Sequence, residues 1–476
     1  VRGKSIPVTK KQAMEVKFET LLPINATWVI ITQHPFRHLC KMNTTETTLS
    51  GPTVWSAIEK ISFRFLFCLF LLIIAFVNNG AFPYWSVIFH YPNEGMQMLA
   101  LWVAKHVLHI TQEIYTGPTG SGDTTFDYAL LLTLTLLSTI GTITWSLLNR
   151  KSTHYTTLYY WLTVAVRFYV GLMLINYGMI KVFKLQFPAP SIGRLMQPYG
   201  ESSPMGLAWT FLGFSTGYNL FMGIAELMAG LLLFRRTMTL GAIITLMTTA
   251  NVMAVNYFYD VPVKLVSTTL TVMTLFLLMH DAKKMFTFFF TSQPVSLTVI
   301  QAPVYKKKFI RIAGLSFKYL LLGYVLIYGC VMGTKSLKEY GDHAVRPKFY
   351  GAYNVDSFVL NNDTLPAGKK DSLAWKQLII SAYEGYARII TRNDSAQRYT
   401  YTYDTLKHAM NFALSSDSTV KYEFTYERKR PSLFLKGMIR QDSVRIHFTQ
   451  MDERDKKKFR LINRGFHWVN EVPYNR

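Results

Sequence analysis

The sequence predicts a membrane α-helical bundle of about seven transmembrane helices followed by an extracytoplasmic antiparallel β-barrel or β-sandwich domain. Three observations predict it. Half of the 476 residues are hydrophobic and 15% are aromatic. The apolar residues gather in seven runs, at 61–76, 126–148, 159–182, 218–234, 239–256, 263–279 and 313–332, each near the ~20 residues that cross a bilayer. After Ser336 these runs give way to short alternating segments separated by turn residues. Residues 1–60 then form an N-terminal cytoplasmic segment, 61–336 the transmembrane domain and 337–476 a periplasmic β domain.

A net charge of +23 would in a soluble protein suggest nucleic acid, so the placement of the cations decides what it means. Arg150 and Lys151, Arg235 and Arg236, and Lys283, Lys284, Lys306, Lys307, Lys308 and Arg311 fall in alternate connections, which makes those loops cytoplasmic. Topology accounts for the charge, and nucleic acid drops out as a partner. The expected location is a bacterial inner membrane, crossed several times, with the N-terminus inside and the β domain outside. Cys40, Cys68 and Cys330 are the only cysteines, too few and too early in the chain for a disulfide framework in the β domain. The first apolar run is followed by Asn78 and Asn79 rather than a small-residue cleavage site, so it reads as a retained anchor. The stretch before it lacks helical or strand periodicity, and Met42 is expected to be the true start.

Between the first two spans, 93–114 is amphipathic. His106, His109 and Glu113 would share one helical face there, as either a metal site or an interfacial helix with histidines at headgroup level. The following loop, Gly-Pro-Thr-Gly-Ser-Gly-Asp-Thr over 117–124, imitates a phosphate-binding loop but has Asp123 where lysine is required. A carboxylate repels phosphate, so the segment reads as a turn.

Residues 159–281 concentrate charge within spans, where ionisable groups are costly and mark functional sites by default. Arg167, Gly171, Leu174, Gly178 and Lys181 form one stripe of the third span, and Asn219, Gly223, Glu226 and Gly230 answer from the fourth. Glycines at this spacing let the helices approach closely, and they put Glu226 within reach of Arg167. That pair either locks the register of the bundle or borders a polar cavity, to which Thr248 and Asn251, and Lys264, Ser267 or Thr268, Thr271 and Thr274 would contribute. At the outer mouth stand Lys181, Lys184, Asp260 and Lys264 with Tyr257 and Tyr259. Such a mouth suits an anionic or quinone-like headgroup, and it equally suits snorkelling lysines in an aromatic belt. The segment 280–311, with Phe286, Phe288, Phe289 and Phe290 among lysines, is expected along the inner leaflet.

Beyond Ser336, strands are expected at 350–359, 378–381, 387–391, 399–403, 422–426, 433–436, 444–449 and 459–462, with Asn and Asp turns between them. Gly465, Phe466, His467 and Trp468 are expected to plug or cover the barrel end.

The core at 159–281 resembles the DoxX family of integral membrane proteins. The likeness rests on Tyr177 and Gly178 with Lys181, on Gly223-Ile224-Ala225-Glu226 and Gly230-Leu231-Leu232-Leu233, and on entry to the next span from Arg235 and Arg236. Some DoxX-like proteins take part in quinone-linked oxidation of sulfur compounds, so the resemblance implies a quinone partner around Lys181 and Glu226. The β domain is similar to lipocalin-like modules at Gly351-Ala352-Tyr353-Asn354-Val355, with Tyr353 where lipocalins commonly show tryptophan. Transmembrane helices followed by a β-rich outer domain also resemble, in layout, the vitamin K-dependent carboxylase group.

Two functions follow as expectations. In the first, a quinone meets Lys181 or Lys264, with Arg167, Asn251 and Tyr259 as binding residues and protons passing through Glu226 or Asp260. In the second, the protein is a non-enzymatic envelope component whose β domain binds a lipid, a small ligand or a periplasmic partner protein. Transport ranks last, because inverted halves and broken helices are not evident.

Overall fold

A computed structural model describes residues 55–297, 299–303, 307–366, 371–383, 385–451 and 459–474. The expectation about Met42 lies outside them.

Each of the seven apolar runs is helical. The first is α1 (Ala57–Phe76), started by a capping box in which Ser56 and Glu59 satisfy each other's backbone N–H groups. Two shorter helices, α2 (Trp85–Ile88) and α3 (His90–His106), lead to α4 (Thr125–Leu148) and α5 (Thr156–Val182). A long connection carries α6 (Ile192–Leu195) and α7 (Pro204–Phe214) before α8 (Thr216–Leu227), which tightens into a 3₁₀ segment, Met228–Leu233. Then come α9 (Met238–Phe258), α10 (Lys264–Met279), α11 (Ala282–Thr291) and α12 (Lys308–Glu339).

Among the described residues five helical stretches are long and apolar enough to cross a membrane, those of α4, α5, α8 with its 3₁₀ extension, α9 and α12. The α10–α11 pair, bent by 75°, passes the same test only when its two helices are counted together as one span. Helix α1 has the length, 20 residues, but carries Glu59, Lys60 and Arg64 near its start. Arg64 is buried there, and its guanidinium donates to the Tyr155 hydroxyl and to Ser146. The four phenylalanines of α11 are exposed, as a helix lying along a membrane surface requires.

Helix α5 is the centre of the bundle, with buried side chains from Leu162 to Lys181. The loop that imitates a phosphate site is structural. Asp123 accepts from the backbone N–H groups of Lys264 and Leu265, at 2.7 and 2.9 Å, and so caps α10 across 141 residues of chain.

The β domain is an eight-stranded, closed, up-and-down antiparallel barrel. Its strands are β1 (Gly351–Leu360), β3 (Trp375–Ile380), β4 (Tyr386–Thr391), β5 (Ala396–Asp404), β6 (Ala409–Leu414), β7 (Asp417–Lys429), β8 (Ser432–Ile439) and β9 (Asp442–Gln450), with a two-residue β2 (Asp363–Thr364) folded back on β1. Pairing of β1 with β9 closes it. Two expectations need correction. The run 459–462 is not a strand but contains a helical turn, α13 (Arg460–Asn463), and the eighth strand is β6, whose Met410 and Phe412 face inward. Alternation in β6 is diluted by two alanines, which hid it. Phe466 and Trp468 do not plug the barrel: they are 77% and 90% exposed. The interior is filled instead by Trp375, Phe358, Tyr399, Phe412, Phe424 and Phe448, as a small barrel allows.

On the barrel exterior a β-bulge at Asp356 turns its carboxylate toward His447, whose other ring nitrogen lies 3.1 Å from the Ser432 hydroxyl. The three groups stand in the open on adjoining strands, where water competes for each, and they seam β8, β9 and β1. The barrel's outer wall packs on the α6 connection through Ile192, Ala352 and Ile379, with Arg388 and Glu201 3.4 Å apart beside them.

Candidate functional site

Helices α5 and α8 run antiparallel: Gly178 meets Gly223, while Gly171, further back on α5, meets Ala229, further along the second chain segment. Side chains on a helix lean toward its N-terminus. Lys181, one turn past Gly178, and Glu226, one turn past Gly223, therefore lean toward each other over the crossing. The Lys181 ammonium lies 2.7 Å from both Glu226 carboxylate oxygens, and both side chains are buried. The rings of Tyr177 and Phe187 flank the ammonium at 5.7 and 5.9 Å.

This pair forms part of the wall of a cavity of about 490 Å³ enclosed by α5, α7, α8, α9 and α10. That volume is within the roughly 300–1,000 Å³ typical of small-molecule sites. The lining is more aliphatic than aromatic, with rings from Tyr177, Phe187, Trp209, Phe211, Tyr218 and Tyr259. Asn251 and Gln186 add amides, and the Gln186 carbonyl oxygen is buried without a hydrogen-bond partner among the described residues. The arrangement is a largely apolar slot with one charged pair and one spare acceptor at its wall. It suits a planar molecule that carries polar oxygens.

Of the residues singled out from sequence, Lys181, Glu226, Asn251, Tyr259 and Ser267 meet at this cavity. Arg167 does not. Fourteen positions before Lys181, it sits about 21 Å away along the helix, and its Nε donates to the Leu232 carbonyl oxygen at 2.5 Å. The expected Arg167–Glu226 pair is thus replaced by Lys181–Glu226, because the antiparallel crossing of Gly178 with Gly223 falls at the C-terminal end of α5 rather than its middle. Arg167 instead bonds the buried carbonyl end of the 3₁₀ segment, together with Lys318, which bonds Leu233.

Asp260 and Lys264 pair with each other at 2.9 Å outside the cavity, and the Asp260 side chain is 82% exposed. Neither lines the slot. The hydroxyls of Thr248, Thr271 and Thr274 are spent on carbonyls one turn back in their own helices, so the polar stripe read from sequence is largely self-satisfied. The expected metal set is also undone. Helix α3 ends at His106, His109 has a left-handed backbone (φ 54°), and the His106 ring packs on Trp102 and bonds its carbonyl. Among the described residues no group of three or more metal-ligating side chains converges.

Sequence reasoning missed the roof, Gln186, Phe187 and the whole of α7 with Trp209 and Phe211. A signal existed. Ser203 followed by Pro204 and an apolar run is a helix start, and Ser203 does cap α7.

A protein of Bacillus subtilis (strain 168), described as "Uncharacterized protein YwoB", is 36% identical to this chain over 132 residues, which is 82% of that protein and 27% of this chain. The chain belongs to the YwoB family. Most of this chain lies outside the matched stretch. No family model matches the sequence. No solved structure matches it either.

Proposed function

We propose that this protein is a DoxX-like, quinone-binding redox subunit of a bacterial inner membrane, with seven spans, a cytoplasmic N-terminus and a periplasmic barrel. The observation that carries the reading is the Lys181–Glu226 pair set in a largely apolar slot. The alternating basic loops support the orientation. Bound quinone would take two electrons from a donor outside this chain and two protons, leaving as quinol.

In this reading Tyr177, Phe187 and Trp209 hold the flat ring. Lys181 donates a hydrogen bond to one carbonyl oxygen, and its ammonium stabilises negative charge that develops there. Glu226 keeps Lys181 charged and aimed, and accepts or returns a proton at its carboxylate. The Gln186 oxygen is positioned as an acceptor for a hydroxyl of the reduced form. Asp260 has no part, being remote and paired to Lys264. The alternative in which the barrel takes a small ligand is weakened by its filled interior.

The test is extraction into lipid nanodiscs without detergent exchange, with mass spectrometry of the co-purifying molecules. Stoichiometric quinone in the native protein, lost from Glu226→Gln and Lys181→Met, supports the proposal. Recovery of bulk phospholipid alone sinks it.

A further inference from the structure

A second, apolar pocket of about 770 Å³ lies on the other side of α7. It shares Leu207, Phe211 and Tyr218 with the inner slot. Those three side chains are therefore a partition with a chamber on each face. The Phe211 and Tyr218 rings stand 5.6 Å apart and tilted, and both are substantially exposed. Leu195, Phe214 and Leu461 extend the outer chamber away from the partition.

The backbone at this corner is pinned. Asn219, fully buried, donates to the carbonyl oxygens of Leu212 and Ser215 at 2.6 and 3.1 Å and so ties the end of α7 to the start of α8. Gly213 is pressed against the Pro188 carbonyl, with no room for a Cβ. Opening between the chambers thus needs no helix motion, only rotation of two partly exposed rings, a fast event. The charged pair Lys181–Glu226 is in the inner chamber; the outer chamber is lined by Arg194, whose guanidinium is held by Thr210 and Gln197 at 2.6 and 2.7 Å, and by Arg460, among apolar side chains.

We infer that the site takes a long-chain amphiphile in two parts, its oxygen-bearing head against Lys181 and Glu226 and its apolar chain passing between Phe211 and Tyr218 into the outer pocket. The inference rests on the quinone-site reading for the identity of the head, and adds the entry route and the selection for a long apolar chain. Leu207, Phe211 and Tyr218 form the doorway, and Leu195 and Leu461 contact the chain beyond it.

Two probes with the same benzoquinone head test this, one without a side chain and one with a long prenyl chain. Binding is read in nanodiscs by mass spectrometry of the probe retained by the protein, against empty nanodiscs of the same lipid. Concentrations are expressed per mole of lipid so that partitioning cancels. The native protein should bind the prenylated probe at least tenfold more tightly. Leu195→Trp and Leu461→Trp, which enlarge two side chains that line the outer pocket, should each remove that advantage and leave the chainless probe's affinity unchanged. Equal affinity for the two probes in the native protein, or an advantage that survives both tryptophans, overturns the inference while leaving the quinone site standing. Failure of both probes to bind the native protein overturns the quinone site and the inference together.

Discussion

Gly178 and Gly223 meet backbone to backbone: a Cβ on either would stand 2.8 Å from the carbonyl oxygen of the other. Since the obstructing atoms are main chain, neither helix can yield without moving. Gly178→Ala and Gly223→Ala should each cost about 1–3 kcal/mol, the usual range for overpacking. Each should also spread Lys181 from Glu226. Thermal unfolding in nanodiscs measures the first effect, and loss of quinone retention the second. A stable Gly223→Ala protein that retains quinone would show that the close crossing is dispensable.

The Lys181–Glu226 pair separates architecture from function in a double-mutant cycle. Removing one partner, as in Glu226→Leu, leaves a buried uncompensated charge and should destabilise by about 3–5 kcal/mol. Lys181→Met with Glu226→Leu removes both charges, and such replacements are often neutral or stabilising. The double variant should therefore recover its melting temperature without recovering ligand. Recovery of both would mean that the pair only locks the bundle.

Asp123 offers a test of a long-range cap. Asp123→Ala deprives the Lys264 and Leu265 N–H groups of their acceptors. The expected cost is about 0.5–2 kcal/mol, as for other N-cap removals. Hydrogen exchange should rise in the first turn of α10 and stay unchanged in α5, a contrast that general destabilisation would not produce.

Two exposed carboxylates give the barrel an acid dependence. Asp404 accepts from the backbone N–H groups of Leu406 and Lys407, and Asp417 accepts from the N–H and hydroxyl of Thr419. These bonds hold both carboxyls below the ordinary aspartate range. A depressed folded-state value means that the stabilisation is complete above the unfolded value, about 3.9, and is lost as pH falls through the folded one. The Trp375 fluorescence transition of the full chain should thus exceed that of Asp404→Asn by a constant margin from neutrality to about pH 4. The margin should close on further acidification. A margin that widens in acid would contradict the assignment.

Much of this fold was legible because its signals are local. Apolar runs locate helices α1, α4, α5, α8, α9, α10 and α12, and period-two alternation with Asn and Asp turns locates seven of the eight barrel strands. The glycine stripes on α5 and α8 identified the tight crossing, and Lys181 and Glu226 stood out as charges that a bilayer tolerates only with a purpose. The misreadings came where regular helical spacing was taken to imply a shared site. His106, His109 and Glu113 obeyed helical spacing, but the helix stops before it can bring them together. Thr248, Thr271 and Thr274 read as cavity lining, although their hydroxyls close on carbonyls within their own helices.

By itself, then, the sequence determined the order of the long helices and of seven barrel strands, the candidate charges and the close contact of α5 with α8, because periodicity and composition act over a few turns. Only the tertiary structure decided that Glu226 pairs with Lys181 instead of Arg167, that Asp123 caps α10, and that α7 folds in as roof and partition of a two-chambered site. Those outcomes depend on the direction in which helices cross and on where a connecting segment lands, and neither is encoded in the spacing along a single helix.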